Sequence, residues 1–184
     1  RGVMAAKTSP RILQISNYAG PLYCFMLPLC RALEQMGAEV ELACMPGGAL
    51  WEPLQRSDFK LHALPEGKWA NPATWWALYH KIRLLLRTCE FDLMIVHTPA
   101  MSWVVRPAAH GLVPATIYFS HGLSFAPEQP WLTNLVFRSV EQFMARYTDA
   151  IIVMNRDDAA ACRRFRLTRT DGRWHYVPRL SSPN

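Results

Sequence analysis

Along this chain the hydrophobic residues cluster into short unbroken runs separated by longer stretches in which they recur every three or four positions. Runs rich in β-branched and aromatic residues predict strands over residues 11–16, 39–44, 59–64, 91–96, 115–119 and 149–154. Such runs do not alternate with polar residues, as expected of strands covered on both faces. Between them, helical spacing predicts a helix that follows a loop at 17–21, runs to Met36 and is stopped by Gly37. Asn71 and Pro72 supply an N-cap and first-turn proline for a helix through Arg87, with Trp75, Leu78, Tyr79, Ile82, Leu85, Leu86 and Cys89 on its apolar side. Thr98 and Pro99 cap the next helix. A helix over 131–147 is expected to bury Leu132, Val136, Val140, Phe143 and Tyr147, and Asn155 caps a short one, with Asp158 completing a box-like arrangement.

Alternating strands and helices predict an α/β class fold, a doubly wound, mostly parallel Rossmann-like sheet with helices on both faces. It is expected over residues 11–178, after an extended leader at 1–10 and before a linker-like tail at 179–184. In such a sheet the polar residues just past the carboxyl ends of the strands line the ligand crevice. Two of the apolar runs end in histidine, His97 and His121.

Composition narrows the class. With 51% hydrophobic and 18% charged residues, the 184-residue chain can bury one good core. Its net charge of +6 favours anionic partners without choosing among phosphates, membranes and nucleic acid. The five cysteines are scattered and never in a CxxC pair, which fits reduced thiols in a cytosolic protein and gives no metal signature. The uncharged stretches at 12–30 and 107–127 carry Asn, Ser, Gly, His and prolines, so neither is expected to span a bilayer.

If the strands are parallel, their ends gather Asn17-Tyr18, Pro46-Gly47-Gly48, His97-Thr98, His121-Gly122 and Asn155 into one polar rim. His121, between a buried strand and a glycine, is the sharpest candidate for hydrogen bonding or proton exchange, equally balanced against a histidine that only satisfies loop carbonyls. For His97 the second reading is favoured, and Thr98 is explained by capping. The loop Asn17-Tyr18-Ala19-Gly20-Pro21 has one glycine; GxGxxG is absent, as is an acidic ribose anchor, which disfavours nicotinamide and flavin cofactors.

The segment from Lys68 and Trp69 through Trp75, Lys81 and Arg83 could lie on an anionic membrane surface, a reading compatible with packing on the sheet if Trp69 and Trp75 project beyond it. The simpler reading, an ordinary amphipathic helix packed on the sheet, is favoured. Arg163, Arg164, Arg166, Arg169 and Arg173 read as a solvated basic face, and no nucleic-acid reading module is present.

Several stretches occur in a recognisable order: the helix at 27–33 closed by Met36-Gly37, the run from Phe91 to Pro99, Tyr118-Phe119-Ser120-His121-Gly122-Leu123-Ser124-Phe125, and the segment from Glu141 to Asn155. Together they resemble the amino-terminal domain of family 4 glycosyltransferases of the GT-B architecture, in the polysaccharide and lipopolysaccharide branch. The resemblance implies transfer of sugar from a nucleotide-sugar donor to a lipid-linked or glycan acceptor, with retention and without a metal or other cofactor. His121 would contact the donor sugar near the reacting centre. Asn17, Tyr18 and Gly20 would lie near the diphosphate and acceptor, with His97, Thr98 and Gly122 completing the substrate site. With the reduced cysteines and the basic aromatic helix, the expectation is a cytoplasmic protein that this helix would bring to the membrane, its nucleotide-binding domain supplied in cis or in trans. The first loop lacks the family's double glycine, and after Val177-Pro178 the chain reads Arg179-Leu180-Ser181-Ser182-Pro183-Asn184 in place of the family's continuation. The isolated chain is therefore expected to bind donor weakly and turn over slowly or not at all. A noncatalytic recruiting subunit and an inactive truncated product remain the alternatives.

Overall fold

The computed structural model describes residues 9–69, 71–125, 129–170 and 173–178. The expected tail at 179–184 and most of the expected leader lie outside them. Seven parallel strands form one sheet in the order β3-β2-β1-β4-β5-β6-β7: β1 Arg11–Ile15, β2 Glu39–Cys44, β3 Lys60–Ala63, β4 Leu93–His97, β5 Ala115–Ser120, β6 Ala150–Val153 and β7 Trp174–Tyr176. The first six match the expected strands to within two residues, and the sheet is doubly wound. The seventh is a short edge strand with two exposed residues, too brief to register as an apolar run.

Side chains alternate between two cores. Leu13, Ile15, Met94, Val96, Tyr118, Ile151 and Val153 point to one face, under the helices α4 (Pro72–Thr88), α5 (Pro99–Ala109) and α7 (Arg156–Phe165). Ile12, Leu42, Ile95 and Phe119 point to the other, under α1 (Ala19–Pro21) and α2 (Leu27–Gln35), with the short α3 (Trp51–Gln55) beside them. Each fully buried aliphatic side chain contributes about 1.5–3 kcal/mol relative to exposure. As expected, Asn71 and Asn155 cap α4 and α7, their side-chain oxygens accepting from the amides of Ala73 and Asp158.

Three local expectations are corrected. The loop at 17–21 is shorter than expected, because α1 already begins at Ala19 and runs through a π-helical turn, Leu22–Met26, into α2. Pro28 has no amide to donate and its ring would collide with the carbonyl four residues back; the wider turn before it relieves both conflicts. Thr98 occupies the N-cap of α5, but its side chain makes no capping bond and its backbone has φ 68°.

The third correction concerns α6 (Trp131–Met144) and the 3-10 turn Ala145–Tyr147 that continues it. The expected inward stripe faces out: Leu132, Val136 and Phe143 are exposed, and only Val140 and Tyr147 are half-buried. What turns inward is Glu141, fully buried, whose Oε2 accepts from Arg106 Nη2 at 2.8 Å and whose Oε1 accepts from Trp103 Nε1 at 2.8 Å. Arg106, also fully buried, donates besides to Ser102 Oγ and Thr148 Oγ1 and lies over the Tyr118 ring. A buried, multiply bonded charge pair fixes the rotation of the helix, because neither ion can be left dry and alone.

Candidate functional site

The strand order reverses direction between β1 and β4, the point at which the loops past the carboxyl ends of a doubly wound sheet diverge and ligands bind in folds of this class. Gln14 on β1 and His97, the last residue of β4, lie on the α1/α2 face beside Ile95 and Phe119. His97 Nε2 donates to Gln14 Oε1 at 2.7 Å, and His97 Nδ1 lies 3.3 Å from Nε2 of His121, just past β5. The His121 ring stacks nearly flat on Phe119, with centroids 5.0 Å apart and planes 7° from parallel.

These contacts set a chain of proton positions. His97 is fully buried; desolvation first, and the neighbouring His121 second, hold its pKa down to about 3. It is therefore neutral at physiological pH. With its one proton on Nε2 for Gln14, its Nδ1 must accept, so the His121 proton sits on Nε2. Partial enclosure also lowers the His121 pKa from the ordinary imidazole value. The ring left at the crevice is thus neutral and offers Nδ1 as an acceptor, suited to a hydroxyl donor. His97 does not satisfy loop carbonyls, contrary to the favoured sequence reading: its partners are Gln14 and His121.

Around this relay, two residues have backbone conformations that side chains resist. Gly122, at φ 152°, occupies a region open to glycine, which lets the chain turn directly after His121. Thr98, at φ 68°, stores about 1–3 kcal/mol of strain. Its Oγ1 is buried and has no hydrogen-bond partner among the described residues, and neither has Gln14 Nε2. The loop beyond Gly122 is held by Asp158 at the start of α7, whose Oδ2 accepts from the Leu123 amide at 3.0 Å and from Asn155 Nδ2 at 2.8 Å. Burial raises the Asp158 pKa.

Asn17 and Tyr18 follow β1 at the same edge; Tyr18 is exposed, and its ring leans over Gly20, where an added Cβ would meet it at 3.2 Å. The structure brings together Gln14, His97 and His121; Asn17, Thr98 and Gly122 follow their strands at the same edge of the sheet. Sequence reasoning missed Gln14, which sits inside a strand with no local mark of function, and the tie from Asp158 to Leu123.

The segment from Lys68 to Arg83 packs as the amphipathic helix of the favoured reading, with Leu78 and Ile82 buried in the core. Lys68 and Lys81 are exposed, but Trp69 and Trp75 are half-buried and pack edge to face, with Trp75 donating to the Trp69 carbonyl at 2.6 Å and stacking on Trp103. Arg83 donates to the Ala108 carbonyl. These rings and this cation serve the packing of α4 on α5. The arginines of α7 are exposed, as expected, with Arg163 over Trp174 and Arg164 over Phe165.

Comparison with known proteins agrees with this architecture. A family model described as a glycosyl transferase 4-like domain matches residues 25–179. The chain is 29% identical over 146 residues to EpsD of Bacillus subtilis, named as a glycosyltransferase, covering 73% of this chain and 35% of that one. It thus spans about a third of the length of the curated relative it matches. Among solved structures it is similar to Anabaena HepE, determined in complex with UDP and glucose (TM-score 0.67, 16% identity, 92% of this chain, 44% of that chain). It is also similar to sucrose-phosphate synthase from Thermosynechococcus elongatus (TM-score 0.66, 16% identity, 92% of this chain, 48% of that chain). At these identities the structural matches speak for the fold.

Proposed function

The chain belongs to the glycosyl transferase 4-like domain family, and from that premise we propose that it is the acceptor-side half of a retaining glycosyltransferase, moving sugar from a nucleotide-sugar to a lipid-linked or polysaccharide acceptor. The observation that carries this reading is the Gln14-His97-His121 relay, which holds a neutral imidazole at the switch-point crevice. The UDP and glucose of the HepE complex support a nucleotide-sugar as donor, and EpsD supports the reaction class.

In the proposed reaction the bond from the anomeric carbon to the diphosphate breaks, the diphosphate keeps the electron pair, the acceptor hydroxyl forms the new bond and its proton passes to the leaving phosphate. His121 Nδ1 accepts a hydrogen bond from a hydroxyl of the donor sugar and fixes the ring beside the reacting carbon. Thr98 Oγ1 spends its unused hydrogen-bonding capacity on the sugar, and Asn17, Tyr18 and Gly20 line the diphosphate and acceptor side. The leaving group needs preorganised dipoles and cations; these come from the nucleotide-binding half, in cis or in trans. No resident metal is invoked.

The test is sugar transfer by this domain together with its nucleotide-binding half. Radiolabelled UDP-hexoses are offered with lipid-linked acceptor, and label is followed into the organic phase and into polymer. Transfer to either acceptor class supports the reading; donor turnover to free sugar alone, with every acceptor refused, contradicts it.

A further inference from the structure

We propose that Asp158 is a positioning residue for His121, fixing from behind the sheet the turn on which that imidazole stands. What it does to the rate of sugar transfer rests on the proposed function; the coupling between the two residues does not.

The turn needs an external hold. Past β5 the chain crosses from one face of the sheet to the other: the His121 ring stacks on Phe119 on the α1/α2 face, and Leu123 is buried in the core on the α7 face. Between them stands Gly122, at φ 152°, and a glycine has no side chain to anchor and the widest backbone freedom of any residue. Two side-chain oxygens supply the hold. Ser120 Oγ accepts from the Gly122 amide at 3.2 Å and Asp158 Oδ2 from the Leu123 amide at 3.0 Å, so successive amides of the turn are pinned.

Helix capping does not account for the Asp158 carboxylate. Asn155 Oδ1 accepts from the Asp158 amide at 2.7 Å and so caps α7 by itself. In a capping box the side chain three residues on reaches back to the backbone amide of the cap. Here Asp158 Oδ2 instead takes the side-chain Nδ2 of Asn155 at 2.8 Å and an amide 35 residues away. A carboxylate in a residue only 8% exposed has lost most of its hydration, and these two donors replace it. Because α7 packs on the face opposite to the imidazole, the effect of Asp158 on transfer passes through the backbone of the turn and through His121.

The test compares Asp158→Ala, which removes the acceptor, Asn155→Ala, which keeps the carboxylate but releases one of its ties, and Asp158→Asn, whose amide oxygen can take both bonds because both fall on Oδ2. Urea midpoints check that each variant folds. The first readout is NMR of the imidazole nitrogens in the chain itself, with the His121 signals assigned by their loss in His121→Ala. The unaltered chain is expected to show one neutral tautomer of His121, protonated on Nε2. Asp158→Ala, and to a smaller degree Asn155→Ala, should average the two tautomers, and Asp158→Asn should restore the single one.

The second readout is steady-state transfer by the domain joined to its nucleotide-binding half. Asp158→Ala should lower kcat about tenfold or more, with KM for the nucleotide-sugar within about threefold, and Asp158→Asn should recover kcat to within about threefold. In the His121→Ala background, Asp158→Ala should cost less than about twofold further, whereas a merely structural role would add in full. Unchanged His121 signals in both alanine variants, an asparagine variant no better than alanine, or an additive loss in the double variant overturns the proposal. Altered imidazole signals with no sugar transfer by any of the proteins, the unaltered one included, would leave the coupling standing and the proposed function refuted.

Discussion

Replacing Glu141 by glutamine keeps the volume of the side chain but removes the charge facing Arg106. The carboxylate now accepts from Arg106 Nη2 on one oxygen and from Trp103 Nε1 on the other, both at 2.8 Å. An amide has one acceptor oxygen, so one of these two donors would confront an NH2 group instead, and the fully buried guanidinium would be left without an anion, with only neutral acceptors such as Ser102 and Thr148 around it. Breaking a buried pair from one side costs about 3–5 kcal/mol, against a total of about 5–15 kcal/mol for a typical domain. Urea unfolding followed by tryptophan fluorescence should therefore show a large drop in midpoint for Glu141→Gln, with m unchanged. The double variant Arg106→Met/Glu141→Leu removes both charges and should recover most of the loss. A cost below about 1 kcal/mol for Glu141→Gln, or a double variant less stable than the single one, would refute the claim that this pair sets the rotation of α6.

Three further outcomes follow from the site. The unfolded chain carries an ordinary imidazole at residue 97 and the folded one a group with a pKa of about 3, so the unfolded state binds the extra proton at intermediate pH. Stability is then lost as pH falls below about 6.5, by up to about 1.4 kcal/mol per pH unit; urea midpoints measured down to pH 5 should fall less steeply for His97→Leu than for the unaltered protein, and parallel slopes would contradict the buried neutral ring. Thr98→Gly relieves the positive φ and should raise stability by about 1 kcal/mol while weakening transfer through loss of the hydroxyl; a destabilised variant would show that the conformation is not strained. Asp158→Ala leaves the buried Leu123 amide without its acceptor, at a cost of about 1–3 kcal/mol; hydrogen exchange at that amide should accelerate, and unchanged protection would remove Asp158 as the anchor of the loop.

The frame of the molecule was legible because its signals are local. Strand runs, the caps at Asn71 and Asn155 and the stop at Gly37 each depend on a few neighbouring residues, and each is where expected. The candidate site was half legible: parallel strands must present His97 and His121 at one edge, but the partner that orients them, Gln14, is 83 residues from His97. The strain at Thr98 likewise arises from the turn into α5 and leaves no trace in residue type. Helix α6 failed for an energetic reason. Its apolar periodicity is real, yet one buried carboxylate paired across 35 residues outweighed it and turned the stripe to solvent. Periodicity reports that a face is apolar, and packing decides what covers it.

The central claim is that His121, kept neutral by its partial enclosure and oriented through His97 and Gln14, contacts the sugar during transfer. Its most direct test is the steady-state rate of His121→Ala in the domain joined to its nucleotide-binding half, with nucleotide-sugar and lipid-linked acceptor saturating and folding verified by an unchanged urea midpoint. The expected result is a fall in kcat of about a hundredfold or more, with a smaller fall for Gln14→Leu. A kcat equal to that of the unaltered protein would contradict the account.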